Sequence, residues 1–335
     1  MTRLLITGGA GFIGSNFVHY VLREHGDWQV VNLDKLTYAG NLENLRDIEN
    51  NSRYQFIRGD IADRELGKKL LGKGFDIVVN FAAESHVDRS ILDPSPFIET
   101  NVGGTQVLLE GAREYGVERF IQVTTDEVYG SLEIGKFTEE LPLSPNSPYA
   151  ASKAAGDLLC HAYGKTYDLA IIITRCSNNY GPYQFPEKLI PLVITNILEE
   201  KPIPIYGDGL NVRDWIHVED HCRALDRIMR QGNIGEIYNI GANSEWTNLE
   251  LVRYILDIMG KPHTLITFVA DRLGHDRRYA LDTTKINQGL DWKPDCSFEE
   301  GIRQTIEWYI KHQSWWKPIK SGDYIKYYQR MYSGR

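Results

Sequence analysis

The stretch Leu4-Leu-Ile-Thr-Gly-Gly-Ala-Gly-Phe-Ile-Gly14 decides the fold. Residues 4–6 read as a short buried strand, and the apolar-periodic segment running to about Leu22 reads as a helix. Between them Gly8, Gly11 and Gly14 keep a G-x-x-G-x-x-G spacing. The first glycine permits a tight turn, and the second lets the backbone approach a pyrophosphate. The third lets the helix pack close to the strand with its N-terminus toward the phosphates. Glycine spacing alone is weak evidence; a strand before it and a helix after it supply the context that gives it meaning. A second strand, 30–33, ends in Asp34, about 20 residues past the glycines, where an acid meets the adenosine ribose hydroxyls. Its charge repels a 2′-phosphate, so NAD is expected over NADP, with Lys35 next door pulling weakly the other way.

Outward from this unit the alternation continues. Residues 55–57 and 77–81 read as strands. The first ends in Gly59-Asp60-Ile61, where Asp60 either meets the adenine amino group or closes an Asx turn. The second ends in Ala82-Ala-Glu-Ser85: two small residues with room for a flat ring, then Glu84 and Ser85 placed to face a substrate. Helical patterns span 98–115 and 149–167. The latter carries Ala150, Ala151, Ala154, Ala155 and Ala162, a close-packing face directed either at the sheet or at a second subunit. Residues 169–173 form another apolar strand. Strands alternating with helices predict an α/β fold, a doubly wound parallel (Rossmann) sheet with ligands at its carboxyl edge. After Arg175 the rhythm lapses among Pro182, Pro186, Pro191, Pro202 and Pro204. The chain is therefore expected to divide into a dinucleotide-binding part, 1–175, and a smaller, mainly substrate-binding part, 176–335, with an interleaved boundary.

The chemistry concentrates in Gln122-Val-Thr-Thr-Asp-Glu-Val-Tyr-Gly130 and Ser147-Pro-Tyr-Ala-Ala-Ser-Lys153. An apolar run delivers Thr125, Asp126 and Glu127 where a buried strand ends, and consecutive acids there are costly without a task or a partner. Ser147 suits an N-cap and Pro148 the first helical position. Tyr149 and Lys153 then share one face, four residues apart. A phenol of pKa about 10 is too weak a base at neutral pH. A neighbouring ammonium and a positively charged nicotinamide both favour the phenolate, which can take a proton from a sugar hydroxyl as hydride leaves. Tyr-x-x-x-Lys alone is common by chance; it is the glycine motif upstream that gives it weight.

With 335 residues, 42% of them hydrophobic, the chain is long enough for a large core. A net charge of −8 with no basic block argues against nucleic acid as a partner. Cys160, Cys176, Cys222 and Cys296 form no C-x-x-C pair and read as reduced thiols of a cytoplasmic protein. No run reaches membrane-spanning length, and no signal peptide is expected before the first strand. His217-Val-Glu-Asp-His221 has helical metal spacing but no evident third ligand, so it reads as structural and no metal is expected. The aromatic tail, Trp315 and Trp316 through Tyr324, Tyr327, Tyr328 and Tyr332, reads as packing on the body or on a partner subunit rather than as a surface for stacking on nucleic acid.

Over nearly its whole length the chain resembles the extended short-chain dehydrogenase/reductase family, through Gly8-x-x-Gly11-x-x-Gly14 and Tyr149-x-x-x-Lys153. Thr125-Asp-Glu127, Ala83-Glu-Ser-His-Val-Asp-Arg89 and Gly274-His-Asp-Arg-Arg-Tyr279 are similar to its 4,6-dehydratase branch acting on dTDP-glucose. Family epimerases usually carry small or hydroxyl residues at the acid pair. The resemblance implies Thr125, Asp126, Glu127, Tyr149 and Lys153 as catalytic residues. It implies an NAD site of Gly8, Gly11, Phe12, Ile13, Gly14, Asp34, Lys35, Asp60, Ile61, Ala82, Ala83, Thr100, Tyr149, Lys153 and Asn179. Glu84, Ser85, Thr125, Asn178, Lys188, Leu189, Pro204, Tyr206, Arg213, Asn248, His275, Arg277 and Tyr279 would hold the nucleotide sugar. It also implies a homodimer. On the residues alone, the arginines of the second half serve equally as a diphosphate clamp or as surface ion pairs. The alternatives are another nucleotide-sugar dehydratase, an NAD-dependent epimerase, or a non-catalytic NAD sensor.

Overall fold

The structure, a computed structural model, describes residues 1–322, 324, 326, 328 and 329. The strands are β1 (Arg3–Thr7), β2 (Gln29–Asp34), β3 (Tyr54–Arg58), β4 (Ile77–Asn80), β5 (Arg119–Thr125) and β6 (Ile171–Cys176). They continue with β7 (Asn178–Tyr180), β8 (Ile203–Tyr206), β9 (Val212–His217), β10 (Ile237–Ile240), β11 (Glu245–Thr247) and β12 (Ile266–Val269). Seven of them form one parallel sheet in the order β10-β6-β5-β4-β1-β2-β3. This is the doubly wound arrangement, in which strand order reverses beside β1.

Successive side chains of a strand point to opposite faces, and both faces here are covered, so the strands are apolar throughout. Leu4, Ile6, Val30, Val79 and Ile121 pack on one side with Phe17, Val18, Leu225 and Ile228 from helices Phe12–Glu24 and Val218–Gln231. Leu5, Val31, Val78 and Phe120 pack on the other with Leu70, Leu108, Leu109 and Cys160 from helices Arg64–Leu71, Thr105–Glu114 and Pro148–Tyr167. A third core, under β11-β9-β7 and the β8–β12 pair, joins helices Leu189–Leu198, Asn248–Ile258 and Phe298–Lys311 through Tyr180, Ile194, Ile255 and Ile302.

Three local features depart from the sequence reading. The helix expected over 98–115 is a π-helical stretch, Ile98–Gly104, followed by an α-helix, Thr105–Glu114. The wide turn carries Asn101, which accepts from the Glu84 amide at 2.9 Å and donates to the Glu84 carbonyl at 3.0 Å and to Ser152 Oγ at 2.8 Å. The strand expected at 169–173 starts later, at Ile171, because Asp168 ends the preceding helix in the left-handed region at φ 55°. β10, from deep in the second half, pairs with β6 and completes the large sheet.

Trp316 is fully buried and donates to the Tyr309 carbonyl at 2.8 Å, while Trp315 donates to Asn44 Oδ1 at 2.8 Å and Tyr324 to the Pro186 carbonyl at 3.1 Å. The described tail thus packs on the body; Tyr327 and Tyr332 lie outside the described residues. His217 accepts the Glu219 amide at 3.4 Å as a helix cap, and His221 Nδ1 bonds Asn179 Oδ1 at 2.8 Å. Among the described residues no helix is long and apolar enough to cross a membrane.

Candidate active site

The carboxyl ends of β1, β4 and β5 open on a cavity of about 290 Å³, beside the point where strand order reverses. Gly8 ends β1 at φ 71°, a conformation side chains rarely adopt, and a Cβ there would lie 2.6 Å from the Ala82 amide nitrogen. A Cβ at Gly14 would overlap the Gly8 carbonyl oxygen. The helix can therefore approach the turn only as glycine. Asp34 Oδ2 accepts the Ala10 amide at 2.9 Å and Oδ1 the Leu36 amide at 2.8 Å. The carboxylate is thereby fixed at the cavity wall, with lone pairs left over for hydroxyl donors. Burial raises its pKa, and the two amides oppose that shift. Asp60 both closes an Asx turn, accepting the Ala62 amide at 2.9 Å, and pairs with Lys35 at 2.5 Å.

Every residue read above as cofactor-binding, from Gly8 and Asp34 through Ala82, Thr100 and Asn179, lines this one cavity. Thr125, Glu127, Glu84, Ser85, Asn178 and Lys188 line it as well. A glycine turn that a Cβ would fill, an anchored acid beyond it and a floor of Ala82 and Ala83 fit a dinucleotide.

Ser147 caps helix Pro148–Tyr167, its hydroxyl accepting the Ala150 amide at 3.1 Å, with Pro148 in the first turn. Tyr149 and Lys153 therefore enter the cavity one turn apart, both buried. The Lys153 ammonium donates to the Val123 carbonyl at 2.8 Å rather than to the phenol. Burial and then the Glu127 carboxylate push the Tyr149 phenol well above its ordinary value, with Thr125 opposing. The protein alone thus keeps Tyr149 a neutral phenol.

Beyond β5 the acid pair enters a 3-10 turn, Asp126–Tyr129. The Thr125 hydroxyl donates to Asp126 Oδ1 at 3.2 Å and accepts the Glu127 amide at 3.3 Å. Asp126 is 2% exposed, and its Oδ2 is buried without a partner among the described residues. Burial and then the Glu127 charge hold the Asp126 carboxyl well above the usual range, with Arg213 opposing. Burial raises Glu127 too, but Arg272, Arg213 and Lys188 pull it back. Cations gather around Glu127 and the proton rests on Asp126. Both carboxyls are raised, Asp126 further than Glu127, so the two adjacent groups are poised differently for proton transfer.

The remaining residues expected around the nucleotide sugar stand apart from that cavity's lining. Arg213 donates to the Val212 and Asp276 carbonyls at 2.7 and 2.9 Å and lies 4.2 Å from the Tyr279 ring centre. The Tyr279 hydroxyl donates to Asp276 Oδ2 at 2.5 Å. Tyr206, at the end of β8 after Pro204, donates to Asp88 Oδ2 at 3.3 Å and meets the His275 ring edge-on at 6.2 Å. Leu189 and Asn248 open their helices. Arg277 is exposed and paired with Asp208 at 2.9 Å, whereas Arg213 acts on both carboxyls of the acid pair. The sequence reading gave Arg272 no place of its own among the arginines of the second half, yet its charge acts on Glu127, Lys188 and His275. It passed over Tyr38, Phe185 and Glu187 on the cavity wall. Arg272 was covered only as one of those arginines; the other three carried no local signal.

The family profile described as GDP-mannose 4,6 dehydratase matches residues 5–305. A dTDP-glucose 4,6-dehydratase of Streptomyces niveus is 51% identical over 325 residues, 96% of each chain. The chain belongs to the dTDP-glucose 4,6-dehydratase family. Among solved members of this family, DesIV of Streptomyces venezuelae, with NAD and TYD bound, is 52% identical, with a TM-score of 0.93 over 95% of this chain and 100% of that one. A UDP-glucuronic acid 4-epimerase of Bacillus cereus, in complex with UDP-glucuronic acid and NAD, also matches at 32% identity and a TM-score of 0.88, over 93% of this chain and 100% of that one. The fold is thus common to dehydratases and epimerases and does not by itself tell them apart.

Proposed function

We propose that the chain is an NAD-dependent hydro-lyase converting dTDP-glucose to dTDP-4-keto-6-deoxyglucose and water, a step of deoxysugar biosynthesis. The observation that carries this reading is the acid pair at the end of β5, buried Asp126 and half-buried Glu127, set beside Tyr149 and Lys153 at the dinucleotide cavity, with Asp126 raised further than Glu127. Residues 1–175 hold the dinucleotide and 176–335 mainly the nucleotide sugar.

Bound NAD supplies a hydride acceptor that becomes the donor within the same turnover, and a positive charge that favours the Tyr149 phenolate. The residues expected to hold it are those of the glycine turn, Asp34, Asp60, Ala82, Ala83, Thr100, Lys153 and Asn179. Tyr149 takes the proton of the sugar C4 hydroxyl while Thr125 hydrogen-bonds the C4 oxygen. A C4 ketone acidifies the C5 hydrogen, which Glu127 removes as a proton. Asp126 gives its proton to the departing C6 hydroxyl, which leaves as water. C5 then regains a proton from an acid that exchanges with solvent. Arg213, Lys188 and Arg272 bring positive charge to this region, the chemistry a diphosphate requires.

The same reading includes a homodimer in a cytoplasmic setting, the latter supported by four unbridged cysteines. The outward face of helix Pro148–Tyr167 carries Ala151, Ala162 and Leu158, the last 60% exposed, beside exposed Leu92 and Ile98. Cys160, by contrast, is fully buried against the sheet and could not contact a second subunit. Exposed apolar residues on this helix and its neighbours suit a second copy.

The deciding experiment is incubation with dTDP-, UDP-, CDP- and GDP-glucose without added NAD, followed by mass measurement. Loss of one water from dTDP-glucose, preferred over the others, is expected. A product of unchanged mass would assign an epimerase instead.

A further inference from the structure

Lys153 has a charged neighbour that the reaction scheme above does not use. Asp157 stands one turn further along the catalytic helix, 2% exposed. Arg175, near the end of β6 and equally buried, donates Nε–H to Asp157 Oδ2 at 3.0 Å. The same guanidinium donates to the Tyr129 hydroxyl at 2.9 Å and lies 4.7 Å from that ring's centre. Tyr129 in turn donates to Asn239 Oδ1 on β10 at 2.9 Å. Tyr129 closes the turn that begins with Asp126 and Glu127. Arg175 is also the register partner of Thr124, next to Thr125. One buried ion pair therefore connects the helix of Tyr149 and Lys153, the end of β5 and the acid turn.

Such a pair is an inefficient way to hold a core together. Both ions give up hydration, and an apolar pair of the same shape is often as stable or more so. Its position gives it another use. The Lys153 ammonium is faced by Asp157 and Cys160 from its own helix, by Cys176 from β6 and by the Val123 carbonyl from β5. Burial pushes both thiols up, Cys176 to about 12, so neither carries charge at neutral pH. Among the described residues, Asp157 is then the anion that opposes the lowering of Lys153 by burial. Asp157 is itself raised by burial and held back chiefly by Arg175.

We propose that Asp157, paired with Arg175, is a positioning residue that supplies the counter-charge to the Lys153 ammonium one turn away in a dry site. Through Tyr129 the same pair steadies the turn of the acid pair. This rests on the role given to Lys153 above.

The test uses Asp157→Asn, Asp157→Glu and the double variant Asp157→Asn/Arg175→Gln, purified with NAD bound. Nicotinamide reduction after mixing with dTDP-glucose is followed across the pH range. Removing the anion weakens the ammonium, so the alkaline limb should move down by about one pH unit in Asp157→Asn and in the double variant. Asp157→Glu should restore it, and the acid limb should stay in place. A direct readout is ¹⁵N-lysine NMR of the dinucleotide-free protein, with Lys153 assigned by its loss in Lys153→Met; its titration midpoint should fall by the same amount. The double variant also removes the Arg175 guanidinium that Asp157→Asn leaves without its carboxylate, so it serves if Asp157→Asn does not fold. An unchanged limb and midpoint in the folded double variant would overturn the proposal. Failure of both Asn-containing variants to fold would overturn it too, by assigning the pair to the core alone. If Lys153→Met left nicotinamide reduction intact, the role of Lys153 would fall instead, whatever the NMR midpoint did.

Discussion

Asp126→Asn should separate elimination from oxidation. The substitution keeps the shape of the side chain, and the new amide oxygen can still accept the Thr125 hydroxyl that now reaches Oδ1 at 3.2 Å. What it removes is the proton that burial and the Glu127 charge hold on this carboxyl. General acid catalysis contributes about 10²–10⁴-fold, or about 2.7–5.4 kcal/mol at 1.36 kcal/mol per decade. Because the acid is desolvated and its Oδ2 has no other partner among the described residues, the upper half of that range is expected. Glu127→Gln should cost a similar factor by removing the base. Neither change touches the Tyr149 phenol. Rapid mixing with dTDP-glucose should therefore show nicotinamide reduction at near-parental amplitude in both variants, while release of the 4-keto-6-deoxy product falls by about a thousandfold or more. Tyr149→Phe should abolish the reduction signal itself. If all three variants lost that signal to the same extent, the division of labour along β5 and the catalytic helix would be wrong.

Substrate carrying deuterium at C4 should deliver it to the C6 methyl of the same molecule, read by mass spectrometry; label kept at C4 would refute the dehydratase reading. Gly14→Ala should abolish retention of NAD on purification, because its Cβ would overlap the Gly8 carbonyl; an NAD-loaded variant of parental stability would contradict the tight turn. Leu158→Arg should convert a dimer to the 38.3 kDa monomer in sedimentation; a parent already at that mass at micromolar concentration would count against the dimer. Asp126→Asn should also stabilise the fold near neutral pH by about 1 kcal/mol. The parental carboxyl has a raised pKa in the fold, so its contribution to stability is full below the unfolded pKa of about 3.9 and is lost as pH rises through the folded value. Melting curves for parent and variant should therefore converge in acid and diverge as pH rises; a constant offset would break the linkage.

The dinucleotide half of the site was legible because its signal is local. The turn at Gly8 and the close approach at Gly14 are dictated by backbone sterics within one strand-turn-helix unit, and Asp34 follows at the next strand end. Asp126 and Glu127 were legible as acids placed where an apolar run ends. Sequence also put Tyr149 and Lys153 on one face, but not the direction of the ammonium, which depends on a carbonyl of a different element, Val123. Arg272, Tyr38 and Phe185 reach the site from loops whose positions are set by tertiary packing, so no spacing announces them. β10 escaped because four residues, Ile237–Ile240, carry too short a pattern, and only its pairing with β6 makes it a strand.

That pairing bears on how the molecule is made. During synthesis from the N-terminus, β6 is finished at Cys176, yet its neighbour starts only at Ile237, 61 residues later (237 − 176). At roughly 5–20 residues per second the nascent chain waits about 3–12 s with an unpaired parallel edge on an apolar strand. Open edges of that kind invite pairing with other chains, so chaperone dependence and aggregation should concentrate in this interval. A polypeptide ending near residue 175 never leaves that state, and it should precipitate where the full chain stays in solution. A proteolytic nick between β6 and β10, made after folding, should have little effect, because the completed ladder keeps the two pieces joined.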